Sequence, residues 1–203
     1  MEGKYHVFAG PHSGKTKSCG QALFGLEVKL VDAQGKEVRC GEVGEIAVRG
    51  TVVMAGYWNQ PEETARVLRN GWLHTGDAGR MDEDGFIYIV DRLKDVIITG
   101  GENVYSAEVE NVFYRHPAVA MCAVIGIPND QWGEQVHAVV VPKEGQTVTA
   151  EELIVYCKGQ LAGFKLPRSV EIRTDPLPIS AAGKIQKAKL RAPYWAAQER
   201  IVN

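Results

Sequence analysis

Several stretches of this sequence set ligand-type side chains among glycines. Gly71-Trp72-Leu73-His74-Thr75-Gly76-Asp77 ends on a carboxylate that can accept both hydroxyls of a ribose. Asp91-Arg92-Leu93-Lys94-Asp95 adds a guanidinium, whose fixed fork of donors suits the same sugar or a phosphate. Thr99-Gly100-Gly101-Glu102-Asn103-Val104-Tyr105 pairs two glycines, a tight-turn signal. In Pro178-Ile179-Ser180-Ala181-Ala182-Gly183-Lys184-Ile185 a glycine permits a turn that would present the lysine after it. Taken singly, these are ordinary turn and surface residues.

A different run imitates a nucleotide loop. Ala9-Gly10-Pro11-His12-Ser13-Gly14-Lys15-Thr16 fits a relaxed P-loop pattern after the strand-like Tyr5-His6-Val7-Phe8. A working P-loop needs a helix whose N-terminus faces the phosphates, and Lys17 onward supplies Gly20 and Gly25 but no helical periodicity. No apolar strand downstream ends in a convincing magnesium-binding Asp, so a P-loop hydrolase is set aside.

The elements that must position these residues change texture near residue 92. Before it, Glu27-Val28-Lys29-Leu30-Val31, Glu45-Ile46-Ala47-Val48 and Phe86-Ile87-Tyr88-Ile89-Val90 are short alternating runs between Gly and Asp-rich turns, which predicts antiparallel strands. After it, Ala107 to Tyr114 reads as helix, Ala123 to Ile127 and Val136 to Val141 as strands, and Ala150 to Leu161 as an amphipathic helix capped by Thr149. A third helix follows Lys187. The fold class expected is α+β: a β-rich region over 18–91, a hinge at 92–95, and a small α+β domain over 96–203 with helices on a sheet. Residues 1–17 form a lead segment of unassigned role.

Composition narrows the function. With 203 residues, 45% of them hydrophobic, the chain can bury one core or two small ones. A net charge of -2 with interspersed charges offers no basic stripe for nucleic acid. No run approaches the roughly 18 apolar residues that cross a bilayer and Met1-Glu2-Gly3-Lys4 lacks a signal-peptide core, so a soluble cytoplasmic protein is expected. Cys19, Cys40, Cys122 and Cys157 form no C-x-x-C pair and have no His at ligand spacing, so they read as free thiols, with no metal site and Cys122 inside a core strand.

In order and spacing, the motifs resemble the adenylate-forming family that includes acyl-CoA synthetases, aryl-CoA ligases and beetle luciferases. The resemblance runs from Ser18-Cys19-Gly20-Gln21 through Gly41-Glu42-Val43-Gly44-Glu45 and Gly56-Tyr57-Trp58-Asn59 to Ile185. It implies a β-barrel-like last piece of a large N-terminal domain, then a hinge and a C-terminal lid that rotates between two steps. In the first, a carboxylate attacks the α-phosphate of Mg-ATP to give acyl-adenylate and pyrophosphate; in the second, the thiol of coenzyme A displaces AMP.

On that resemblance, Asp77 and Arg92 contact the ribose of ATP or AMP, Lys94 is the hinge residue and Lys184 is the catalytic lysine. An ammonium there would stabilise charge building on carboxylate and α-phosphate. Gly100 and Gly101 would line the pantetheine path, and Trp132, Phe164 and Arg168 would contact coenzyme A. The sequence departs from the family at Ile179 for a basic residue, Ala182 for Thr, and Ser106 for Pro, where Ser is expected to cap the following helix. The run from Asp91 to Tyr105 resembles the fatty-acyl and aryl-CoA ligase branch rather than peptide-synthetase adenylation domains, which favours coenzyme A over a carrier protein. Medium or long-chain fatty acids are the substrates favoured by resemblance.

No Ser/Thr/Gly-rich triphosphate loop ending in Pro-Lys-Gly occurs, nor a domain for the acyl pocket. The expected function is therefore the C-terminal part of an AMP-forming acid:CoA ligase, inactive alone, with ATP, Mg2+ and coenzyme A entering as substrates, no tightly held cofactor, and the missing N-terminal domain as partner. The alternative is a stand-alone nucleotide or coenzyme A binding module without turnover.

Overall fold

A computed structural model describes residues 14–199. It separates into two units between Lys94 and Asp95.

The first unit is a curled antiparallel sheet. Its strands are β1 (Leu26–Val31), β2 (Val43–Gly50), β3 (Leu68–Arg69), β4 (Trp72–Met81) and β5 (Ile87–Arg92), with helix α1 (Pro61–Val67) between β2 and β3. β4 is the spine: β2 runs along one edge, while β3 and β5 share the other. Alternation buries one face, where Leu30, Ile46, Val48 and Ile87 meet. Register shifts at Glu45/Ala47 and at Ala78/Gly79 bend the sheet into a half-barrel.

Two features of this unit differ from the sequence reading. Trp72 to Asp77 is strand rather than turn, and a bulge at Thr75-Gly76 interrupts the alternation that would have marked it. Helix α1 lies in a region expected to be β. Its signals are local: Pro61 at the start, Glu62 and Glu63 in the first turn and Arg66 in the last, all matched to the helix dipole.

In the second unit a mixed sheet of β6 (Ile97–Thr99), β7 (Glu102–Val104), β8 (Val119–Asn129), β9 (Gly133–Pro142) and β10 (Ser169–Ile172) carries α2 (Ser106–Phe113), α3 (Ala150–Cys157) and α4 (Lys187–Glu199). β10 runs parallel to β9, and the other pairings are antiparallel. Cys122, Val124, Val136, Ala138 and Val140 face Val109, Phe113 and Leu153 of α2 and α3. Ala123, Ile125, Ile127 and Val139 face Leu190 of α4 on the other side. Helices on both faces explain why Ala123 to Ile127 is a continuous apolar run.

Thr149 caps α3 in a full capping box with Glu152. That helix ends at Cys157 rather than Leu161, because Lys158 is extended and Gly159 takes φ +81°. Ser106 is not a cap. The residue before α2 is Tyr105, and Ser106 is the helix's buried first residue, its hydroxyl accepting from Lys187 Nζ at 2.7 Å.

None of the four cysteines is paired in a disulfide, and Cys122 and Cys157 are buried. Burial raises the Cys122 thiol pKa and pushes that of Cys157 up to about 11, so both are inert packing groups. No helix among the described residues is long and apolar enough to cross a membrane. Of the P-loop lookalike, residues 9–13 lie outside the described residues. Its Lys15 donates to Asp82 at 2.5 Å and Asp84 at 2.9 Å, contacts that tie it to carboxylates of the first unit.

Candidate functional site

Strand register joins the first two candidates. Asp77 on β4 is paired across the ladder with Arg92 on β5, and Arg92 Nε stands 3.3 Å from Asp77 Oδ1. Arg92 is half exposed and Asp77 more sheltered, so a polar ligand can reach a carboxylate and a guanidinium fork side by side.

A bulge sets the direction of Asp77. Gly76 takes φ +73°, a conformation that excludes most side chains. Glu45 on β2 holds this bulge from beneath: one carboxylate oxygen accepts from Gly76 N–H at 3.1 Å, and the other lies 2.7 Å from His74 Nδ1. Thr75 Oγ1 donates to Ile46 O at 2.9 Å and accepts from Asp77 N–H at 3.1 Å. Sequence reading missed Glu45, because its partners become neighbours only through the β2–β4 register.

After β5 the chain makes a 3-10 turn, Leu93–Asp95, with Lys94 on its exposed surface. Asp95 is held within the second unit by Arg191 of α4, at 3.6 Å.

The glycine pair and three other candidates belong to the second unit. Gly100 and Gly101 form the β6–β7 turn at φ +60° and +85°. Trp132 sits in the β8–β9 turn, whose backbone is fixed by Asn129 Oδ1 accepting from Gln131 and Trp132 N–H at 3.1 and 3.0 Å. The two turns lock together, since Gly100 N–H donates to Trp132 O at 2.9 Å. A Cβ at Gly100 would lie 2.8 Å from the indole, so this glycine is needed for close packing. A Cβ at Gly101 would meet nothing within 4 Å, and there the backbone angle is the requirement. Arg168 places its guanidinium 5.1 Å from the Trp132 ring centroid. Phe164 is exposed on the 3-10 turn Gly163–Lys165, which packs beside β7 and is anchored by Lys165 donating to Glu108 at 2.7 Å. The result is a partly exposed aromatic and cationic surface around a glycine turn.

Lys184 stands on its own hairpin. Ser180 N–H donates to Lys184 O at 2.8 Å, Gly183 N–H to Ser180 O at 2.9 Å, and Gln186 N–H to Pro178 O at 2.8 Å. Gly183 takes φ +77°, and Ile179 bridges Ile185 across the base. Ala181 to Lys184 are exposed, so the lysine is presented at a defined protruding turn.

Thus register brings Asp77 to Arg92, while turn packing brings Gly100, Trp132 and Arg168 together. Lys94 and Lys184 occupy separate turns.

The described residues thus hold a β-rich unit ending in a carboxylate–guanidinium pair and an α+β unit bearing an exposed lysine hairpin and a glycine turn. Comparison with known proteins makes the class specific. Residues 4–58 match the family profile described as AMP-binding enzyme, and residues 108–184 match AMP-binding enzyme C-terminal domain. A feruloyl-CoA synthase from Amycolatopsis is 51% identical over 180 residues, 89% of this chain and 36% of that protein. The fatty acid–[acyl-carrier-protein] ligase ScoC of Streptomyces coeruleorubidus is 43% identical over 193 residues, 95% of this chain and 37% of that protein. The crystal structure of ATP-bound MatB from Rhodopseudomonas palustris superposes with a TM-score of 0.80 at 42% identity, covering 88% of this chain and 36% of that one. The chain belongs to the family of AMP-binding, adenylate-forming enzymes, and it spans little more than a third of the length of these relatives.

Proposed function

We propose that this chain is the C-terminal part of an AMP-forming acid:CoA ligase, holding the nucleotide through Asp77 and Arg92 and supplying Lys184 to the adenylation step. The observation that carries this reading is the Asp77–Arg92 pair, set at 3.3 Å by strand register immediately before the division between units.

In the proposed first step a carboxylate oxygen of the acid attacks the α-phosphorus of Mg-ATP, and the bond to pyrophosphate breaks. Asp77 accepts from the ribose hydroxyls, and Arg92 both orients that carboxylate and donates to the sugar. The Lys184 ammonium lies against the oxygens on which charge builds. In the second step the sulfur of coenzyme A attacks the acyl carbon and AMP leaves, the thiol arm passing the Gly100-Gly101 turn with Trp132, Phe164 and Arg168 beside it. Lys94 marks the turn about which the second unit swings between steps. The named acids of the relatives, ferulate and fatty acids, share an apolar body on a carboxylate, which is the proposed substrate class. Coenzyme A is the proposed acceptor; ScoC, whose name carries an acyl carrier protein, marks the other outcome to assay.

The test is a graft in which the matching 180 residues of the Amycolatopsis enzyme are replaced by those of this chain. Acid-dependent pyrophosphate release and coenzyme A-dependent AMP release are expected from the graft, and neither from the chain alone. A folded graft that binds ATP but never forms acyl-adenylate would overturn the reading.

A further inference from the structure

α4 begins with Lys187, Lys189 and Arg191 and has no acidic residue in its first turn. Cations at this end of a helix oppose its dipole, so a lysine there needs another partner. Lys187 has two. Its ammonium lies 2.7 Å from Glu110 Oε1 on α2 and donates to the buried Ser106 hydroxyl at 2.7 Å. The same Glu110 oxygen accepts the β8 backbone N–H of Val124 at 2.7 Å. Lys187 and Glu110 side chains are only 14% and 15% exposed, so solvent screens the pair weakly.

Position gives this cluster a role. Lys187 lies three residues after Lys184, directly after the hairpin closed by Gln186 N–H to Pro178 O at 2.8 Å. At the hairpin base Ile185 adds an apolar contact, packing on the cluster of Ala123, Ile125 and Leu177. An apolar side chain resists withdrawal but tolerates sliding and rotation, whereas a charged pair with a second hydrogen bond fixes direction.

We infer that Lys187 is a positioning residue for Lys184, its ammonium pinning the base of the hairpin to α2 and β8 so that the exposed lysine is held in one orientation. This rests on the reading of Lys184 given above. Lys187 touches no substrate. Its effect is to reduce the conformations from which Lys184 must be selected, which speeds the adenylation step without altering ATP binding.

The experiment has two readouts. In the full 203-residue chain, hydrogen exchange is followed at Gly183, Ser180 and Gln186, the donors of the hairpin, and in β8 and β9. Lys187→Met should speed hairpin exchange about tenfold or more while β8 and β9 stay protected. Lys187→Arg, which keeps the charge and can still reach Glu110, should restore most of the protection. Unchanged hairpin exchange in Lys187→Met overturns the inference, and so does a uniform loss across the unit, which would make Lys187 a plain stability residue. In the graft, Lys187→Met should lower the adenylation kcat with KM for ATP unchanged, and Lys187→Arg should recover it. If Lys184→Ala leaves adenylation intact, the proposed role of Lys184 fails while the exchange result still reports on the pin. If Lys184→Ala abolishes adenylation but Lys187→Met does not lower kcat, the positioning role alone fails.

Discussion

The two units bury their sheets to different depths. In the second, helices cover both faces of β8 and β9, and Phe113, Val109, Leu153, Ile125 and Val139 are 2% exposed or less. In the first, the buried cluster centres on Leu30, Ile46, Val48 and Ile87, with Val31, Ala47 and Ala78 also buried, and beside it Leu23, Phe24 and Ile89 are 42%, 107% and 52% exposed. The difference shows how each candidate site is held. Asp77 is aimed by polar contacts within a bulge, through Glu45 and Thr75, while the Lys184 hairpin adds the apolar seat of Ile185 on a core cluster to the Lys187 pin. Removing apolar volume should therefore injure the second unit most, and removing hydrogen bonds should injure the first.

The largest effect is expected from Phe113→Ala, which empties volume between α2 and the sheet and should destabilise the second unit by about 3–5 kcal/mol. Ile46→Ala, at a shallower site, should cost nearer about 2 kcal/mol. Urea titrations followed by hydrogen exchange in each unit would measure both, and equal losses would dissolve the contrast. Next is Asp77→Asn in the graft, expected to weaken ATP binding roughly tenfold by removing a charged acceptor, which corresponds to about 1.4 kcal/mol. Calorimetric titration of ATP checks it; an unchanged Kd would detach the pair from the nucleotide.

The smallest effect is a pH dependence of the second unit. His137 on β9 is enclosed by Ser169 at 2.7 Å, Tyr194 at 3.1 Å and Glu171 at 3.8 Å, with Arg173 alongside Glu171. Burial lowers its pKa below the usual 6.5, although Glu171 pulls the other way. The unfolded chain therefore binds the proton more readily. The stability that neutral His137 contributes is present above pH 6.5 and is lost as pH falls through the unfolded value toward the lower folded one. Melting the unit between pH 7.5 and about 5 should show that decline, and His137→Gln should flatten it.

Much of this fold was legible because its signals are local. Alternation marked β1, β2 and β5, Thr149 and Glu152 marked the start of α3, and an unbroken apolar run marked β8. α1 was equally local, and its Pro61-Glu62-Glu63 start is recognisable once a helix is entertained among strands. β4 was hidden by the bulge, since Thr75-Gly76 breaks the alternation that a strand reading depends on. The sites were legible differently. Asp77, Arg92 and Lys184 drew their proposed roles from motif order, and the register that sets Asp77 beside Arg92 is absent from spacing. Glu45 and Lys187 left no readable mark, because a carboxylate under a bulge and a cation at a helix start acquire meaning only from partners distant in sequence.

The central claim is that Lys184 serves adenylation while the Gly101 turn serves thioester formation, and both half-reactions can be assayed in the same graft. Lys184→Ala should slow acyl-adenylate formation by about a hundredfold, roughly 3 kcal/mol, yet leave thioester formation from supplied acyl-adenylate intact. Gly101→Leu, strained at φ +85° but facing open space, should do the opposite once its folding has been verified. Equal damage to both half-reactions by both substitutions would contradict the account.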